Sequence, residues 1–414
     1  MFSLRARVVL PVDRPPLDGG TVTVADGRIV SVGQQAAEGP VHDLGDVALL
    51  PGLVNPHVHL EYSLLDRPLG QPGMPFPAWI REVVAYKRQQ QGPTSAAIAA
   101  GLRESLRHGV TWLGEIASPG WPAGPFADYP GQATVFLELL GLKGDQAQEG
   151  LDYARSRLGA ADGTWATAGN SSSRLHPGLS PHAPYSVHPD LLAGAVKLAH
   201  NSQAPLAMHL AESPEEIELL RSGDGPFVDL LRELGAWNAD VFLQPRRPLD
   251  YLRALAAAPR SLAIHGNYLD DAEIGFLGQN ADRMAIVYCP RTHARFGHEP
   301  YPLARLLAAG ATVAVGTDGR GSNPDLNPLA EMRHVFQHFP DVAPDAILRM
   351  GTLDAARALG ISHAVGSLTP GKRANLTAVP LPPGAAAADA IQEILADTST
   401  VSWVMCGGES QSVG

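Results

Sequence analysis

The chain has 414 residues, 45% hydrophobic and 18% charged, which describes a globular protein too long for one ordinary core. Its formal net charge of -11 argues against a general binder of nucleic acid or anionic membrane. Its two cysteines, Cys289 and Cys406, cannot build a disulfide framework, and no stretch is apolar for long enough to span a bilayer. With no apolar signal core behind Met1, a cytoplasmic protein is expected.

Residues 1–50 read as short strands. Segments 21–25 and 28–32 flank Asp26-Gly27, a strong hairpin signal. The apolar residues Val47, Leu49, Leu50, Leu53 and Val54 then read as one buried strand. It ends in His57-Val58-His59. Side chains alternate across a strand, so both imidazoles face one side, and Glu61 continues the alternation. Helical segments near 76–91 and 94–108 lead to a strand at 110–116. Further strands fit 133–140 and 175–182. A helix near 189–202 precedes a strand at 205–210, and helical segments follow over 214–234. Strands at 261–265, 284–288 and 312–317 come next, then helical segments over 326–338 and 343–359. Strands alternating with helices in this way predict an α/β fold, a (β/α)8 barrel over 51–362. In the tail, 366–376 is a turn leading into a strand, 402–405 is another strand, and Pro/Ala-rich 381–390 is a surface excursion. Residues 1–50 and 363–414 are expected to make one small β-sandwich.

The C-terminal ends of barrel strands share one mouth, where barrel enzymes do their chemistry. Strand one brings His57 and His59 there. Strand five brings His209, with Glu212 three residues on. Strand six brings His265 and strand eight Asp318. Each alone has a structural explanation, because histidines pack at strand ends and Asp318-Gly319 is an ordinary turn. Gathered at one mouth, they read as a metal site.

With these residues the chain resembles the amidohydrolase superfamily. The resemblance rests on Pro51-Gly52-Leu53-Val54-Asn55-Pro56-His57-Val58-His59, His209-Leu210-Ala211-Glu212, His265-Gly266 and Gly316-Thr317-Asp318-Gly319, and it covers nearly the whole chain. It is closest to the aminohydrolase branch of triazine hydrolases, guanine deaminase and adenosylhomocysteine/methylthioadenosine deaminases. Ser180-Pro181-His182-Ala183-Pro184-Tyr185 and Asp318-Gly319-Arg320-Gly321-Ser322-Asn323 look like that branch too. The family's C-terminal strand often reads Ala-Asp-Leu, where this chain has Ala374-Asn375-Leu376 in the sandwich.

The resemblance implies one metal ion on His57, His59, His209 and Asp318. Three nitrogens and one carboxylate suit Zn2+, with Fe2+ as the alternative. Two-metal members usually bridge their ions with a carboxylated lysine on strand four. None of Lys87, Lys143, Lys197 and Lys372 falls in that window, so a single ion is expected. The ion would bring the pKa of a bound water toward neutrality. Asp318 would accept the water's proton, Glu212 would carry a proton to the ring nitrogen, and His265 would hydrogen-bond the developing oxygen charge. Candidate substrate contacts are Glu61, His182, Arg291 and His293, with Trp79 as a cap over a planar ring. The structural alternative for Arg291 and His293 is support of the barrel rim.

The expected activity is hydrolytic deamination of an amino-substituted N-heterocycle. The substrate class is a purine or purine nucleoside derivative, with an aminofutalosine type among the candidates. Hydrolysis of another C–N or C–Cl bond, as in an amide or a chlorotriazine, uses the same water. A non-catalytic scaffold has no need of all six residues, and the charge opposes a nuclease. The expected partner is a small heterocycle rather than nucleic acid or membrane. A homodimer is compatible with this reading.

Overall fold

Gly52 divides what the sequence presents as one apolar strand. Val47–Pro51 belongs to a sheet of the small domain and pairs antiparallel with Leu376–Pro380. Leu53–Val58 is instead the first barrel strand. Between them the Gly52 N–H donates to the Asn375 carbonyl at 2.8 Å, and a Cβ at Gly52 would collide with the Thr111 side chain. Only glycine lets the chain cross so closely from one sheet to the next.

This computed structural model describes residues 1–90, 92–159, 165 and 174–412. The remaining barrel strands are Val110–Ala117, Gln132–Leu139, Leu175–Pro181, Leu206–Leu210, Ser261–His265, Met284–Tyr288 and Thr312–Val315. All eight run parallel in chain order. The first and eighth meet through side chain and backbone. Asn55 Nδ2 donates to Thr317 Oγ1 at 2.8 Å, and the Thr317 N–H returns to Asn55 Oδ1 at 3.2 Å. The Asp318 N–H donates to the His57 carbonyl at 3.2 Å. The expected (β/α)8 barrel is therefore present. Its fourth strand pairs with the third along its whole length despite Pro177 and Gly178.

Several helices differ from expectation. Segment 214–234 is two helices, Pro214–Ser222 and Pro226–Glu233, because Gly223 ends the first in the left-handed conformation. Arg291 and His293, expected after the seventh strand, lie in a helix, Pro290–Phe296. The Pro/Ala-rich excursion ends in a helix, Ala390–Ala396, whose Ile394 carbonyl is held by the Arg333 guanidinium.

Both chain ends build the additional sheets. One holds Arg28–Gly33, Thr21–Ala25, Phe2–Arg5 and Val41–Asp43. The other joins Glu409–Gln411, Trp403–Cys406 and Leu376–Pro380 to Val47–Pro51, Val8–Val9 and Leu17–Asp18. Leu4, Val22, Val24, Ile29, Leu49, Leu376 and Met405 pack between them. Among the described residues, no helix is long and apolar enough to cross a membrane.

Candidate active site

Inward-facing positions carry most of the site. On the fifth strand Ala207 packs with the barrel interior, so His209, two residues on, faces the same way. The eighth strand ends at Val315, and Asp318 stands three residues beyond it with its N–H on the His57 carbonyl. The sixth strand breaks the pattern. Leu262 and Ile264 pack inward, and His265 reaches the mouth only because its φ is 69°. Ala211 and Asp318 also hold positive φ, 53° and 56°. Non-glycine residues in this conformation cluster where function over-determines them. Glycines flank Asp318 for lack of room. A Cβ on Gly316 would lie 3.0 Å from His57 Cβ, and one on Gly319 2.9 Å from His59 Cβ.

The ring nitrogens of His57, His59 and His209 offer ligand atoms within 4.8 Å of one another. His59 Nε2 and His209 Nε2 stand 3.3 Å apart. Asp318 Oδ1 lies 3.4 Å from His57 Nε2 and 3.6 Å from His59 Nε2. Both nitrogens of His57 are buried without a hydrogen-bond partner. Such orphans are costly unless something else occupies their lone pairs. Tetrahedral zinc sites place nitrogens at about 2.0–2.1 Å from the ion, hence about 3.3 Å from each other. The residues present therefore fit a metal ion. The His182 carbonyl, 2.9 Å from His209 Nδ1, accepts a hydrogen bond from the Nδ1–H, which leaves Nε2 free to ligate. Burial holds the His59 pKa well below the usual histidine value and lowers that of His209 to about 3, so both are neutral donors.

The two carboxyls of the pocket differ. Burial alone would raise the Asp318 pKa, but His57 and His59 outweigh it and hold it well below the usual range. Asp318 Oδ2 accepts from Ser322 Oγ. Burial, reinforced by Asp318 and Glu216, pushes Glu212 well above the usual range. Glu212 Oε1 lies 3.3 Å from His265 Nε2. Glu212, His265 and Asp318 all line one cavity of about 680 Å3 with His59, His182 and His209.

The amidohydrolase family profile matches residues 48–410. The chain belongs to the amidohydrolase family. The 5-methylthioadenosine/S-adenosylhomocysteine deaminase of Moorella thermoacetica is 27% identical over 391 residues, 90% of this chain and 83% of the relative. The aminodeoxyfutalosine deaminase of Deinococcus radiodurans is 30% identical over 323 residues, 75% of this chain and 73% of the relative. The crystal structure of Helicobacter pylori aminofutalosine deaminase with methylthio-coformycin has a TM-score of 0.85 at 22% identity, covering 100% of both chains.

In this amidohydrolase the expected substrate contacts divide. His182 lines the cavity, with Nδ1 2.7 Å from Ser186 Oγ. Trp79 lines it too, with Nε1 donating to the Gly321 carbonyl at 3.2 Å. Glu61 does not reach the cavity. The strand ends at Val58, and the 3-10 turn Leu60–Tyr62 breaks the alternation that would have pointed Glu61 inward. Arg291 is turned into the rim by its helix, where Nε bonds Glu331 at 2.7 Å and the guanidinium meets Asp325. His293 Nε2 bonds the Glu299 carbonyl at 3.0 Å. Neither lines the cavity, and both side chains are tied into the rim.

Sequence reasoning missed three groups. Lys87 and Glu138 line the cavity, and nothing in a periodic helix or an apolar strand marks them out. Buried Glu216 accepts from the Ala211 N–H at 2.8 Å and the Glu212 N–H at 2.9 Å, fixing the strained turn that aims Glu212. Its signal was present in Ser213-Pro214-Glu215-Glu216, a helix-start pattern whose Ser213 Oγ accepts from the Glu216 N–H.

Proposed function

We propose that this amidohydrolase is a metal-dependent deaminase that replaces an amino group of a purine nucleoside derivative with oxygen from water. The observation that carries it is a cluster of three histidine nitrogens within 4.8 Å of one another, with the Asp318 carboxylate 3.4 Å from His57 Nε2 and Glu212 3.3 Å from His265 Nε2. The barrel, 51–362, is taken as the catalytic unit, and segments 1–50 and 363–414 as the sandwich that braces it. His57, His59, His209 and Asp318 are assigned as ligands. Their donor set suits Zn2+, although Fe2+ takes the same donors. The fourth strand, Leu175–Pro181, carries no lysine to bridge a second ion, which supports a single one.

Bound there, a divalent ion supplies the acidity that makes water a competent nucleophile near neutral pH. Asp318 accepts the proton that water gives up, because its carboxylate is held ionised within the pocket. Glu212 holds a proton that it can pass to the ring nitrogen beside the attacked carbon. His265 donates a hydrogen bond to the oxygen as it gains charge. The amine departs as ammonia and the ring keeps a carbonyl. His182 and Trp79 bound the space in which the ring lies.

The curated relatives are named for nucleoside substrates, which favours this class over chlorotriazines and amides. Incubation with 6-aminopurine nucleosides should release ammonia and the 6-oxo product in equal amounts. Turnover of a chlorotriazine or an amide, with every aminopurine inert, would reject the proposal.

A further inference from the structure

The cavity has two zones. Its floor is the histidine cluster with Glu212 and Asp318, and an outer wall is formed by Phe76, Trp79, Val83, Leu142, Leu230 and Leu234. At about 680 Å3 it lies within the roughly 300–1,000 Å3 typical of small-molecule sites. A nucleoside whose base lies on the floor therefore directs its 5′ substituent toward apolar wall. Among the described residues, Lys87 is the only lysine or arginine lining the cavity. Its ammonium is already committed. Nζ lies 3.0 Å from Glu61 Oε1, 3.0 Å from Ser118 Oγ and 4.0 Å from Glu138 Oε2. Ser118 Oγ ties the group together, 2.7 Å from Glu61 Oε1 and 3.1 Å from Glu138 Oε2. Glu61 and Glu138 are 7% and 4% exposed, so water does little to screen them. The Lys87 ammonium is thus spent on buried acids behind and beside the wall, and Glu138 and Glu149 are the acids that line it.

We infer that this site selects purine nucleosides with an uncharged, apolar 5′ substituent and discriminates against those whose substituent ends in a carboxylate. The inference rests on the deaminase reading above and names which part of that substrate class is used. A carboxylate entering the outer zone sheds its water and finds either apolar surface or acids of its own sign. Among the described residues, no uncommitted lysine or arginine lines the cavity to compensate that loss. An alkyl or thioether chain of the same length gains by covering the same surface.

A matched pair isolates the charge. 5′-Butylthioadenosine and 5′-(3-carboxypropylthio)adenosine share a chain and differ in the terminal group. The carboxylate should lower kcat/KM by roughly 100-fold or more, as expected for desolvating an unpaired charge. Leu140 lines the cavity yet is 42% exposed, so a guanidinium placed there need not be buried. In Leu140→Arg the ratio of the two kcat/KM values should move toward the carboxylate substrate by about 10-fold, the effect of one partly solvated ion pair. Values within threefold of each other in the parent protein, or an unchanged ratio in the variant, would overturn the inference while leaving deamination intact. If adenosine and both analogues release no ammonia, the deaminase reading itself fails, and the inference falls with it.

Discussion

Asp318 and Glu212 share one pocket, and their surroundings push their protons in opposite directions. The imidazoles hold the Asp318 pKa well below the usual range, while burial beside other acids raises that of Glu212. A dication nearby would be the largest local charge and would lower both pKa values. Such a split is how one site holds an acceptor and a donor together. Glu212→Gln keeps the shape but cannot transfer a proton. Its kcat should fall by about 10²–10⁴ with metal content unchanged. Because the Glu212 pKa is raised, wild-type kcat/KM should decline as rising pH removes that proton, and this alkaline limb should vanish in the variant. Parallel pH profiles and metal analysis decide it, and near-normal deamination by the Gln variant would make Glu212 a structural neighbour. That His57, His59 and His209 lie close together beside Asp318 was legible from motif spacing and strand ends, without knowledge of packing. Glu61, Arg291 and His293 were misplaced because a 3-10 turn and a short helix redirect side chains that strand or loop geometry would have sent inward. Lys87 could not be read at all, since a helical lysine is ordinarily a solvated one.

Strand ends are where this fold sets its chemistry, and the seam between the first and eighth strands is the most sensitive. Asn55, two residues before His57, is fully buried and uses both its amide nitrogen and its oxygen on Thr317, one residue before Asp318. Asn55→Ala would leave the buried Thr317 N–H without its partner, at about 1–3 kcal/mol. It would also loosen the spacing of His57 from Asp318. Denaturant midpoint and metal affinity should therefore fall together, and a loss of stability with unchanged affinity would show that the seam does not set the ligand geometry. The barrel strands were readable from apolar runs and turn residues, even the fourth. The break at Gly52 was not, because apolar residues continue across it and only the closeness of Thr111 and Asn375 explains it.

At the scale of the whole molecule, the two chain ends meet in a sheet where Val47–Pro51 pairs with Leu376–Pro380, and the strand leaving that sheet enters the metal pocket within a few residues. The sandwich thus anchors the first barrel strand at one end while Asn55 anchors it at the other. Both ends were expected to meet from their strand character, whereas the pairing register depends on long-range contacts that no local pattern encodes. The central claim is a hydrolytic centre built on a single ion, and it is tested most directly by stripping the protein with a chelator and returning zinc in steps. Deamination of 5′-methylthioadenosine and bound metal per chain are followed together. The account predicts no turnover in the stripped protein and a straight rise that levels off at one zinc per chain. Full turnover without the ion, or a rise that continues to two ions per chain, would contradict it.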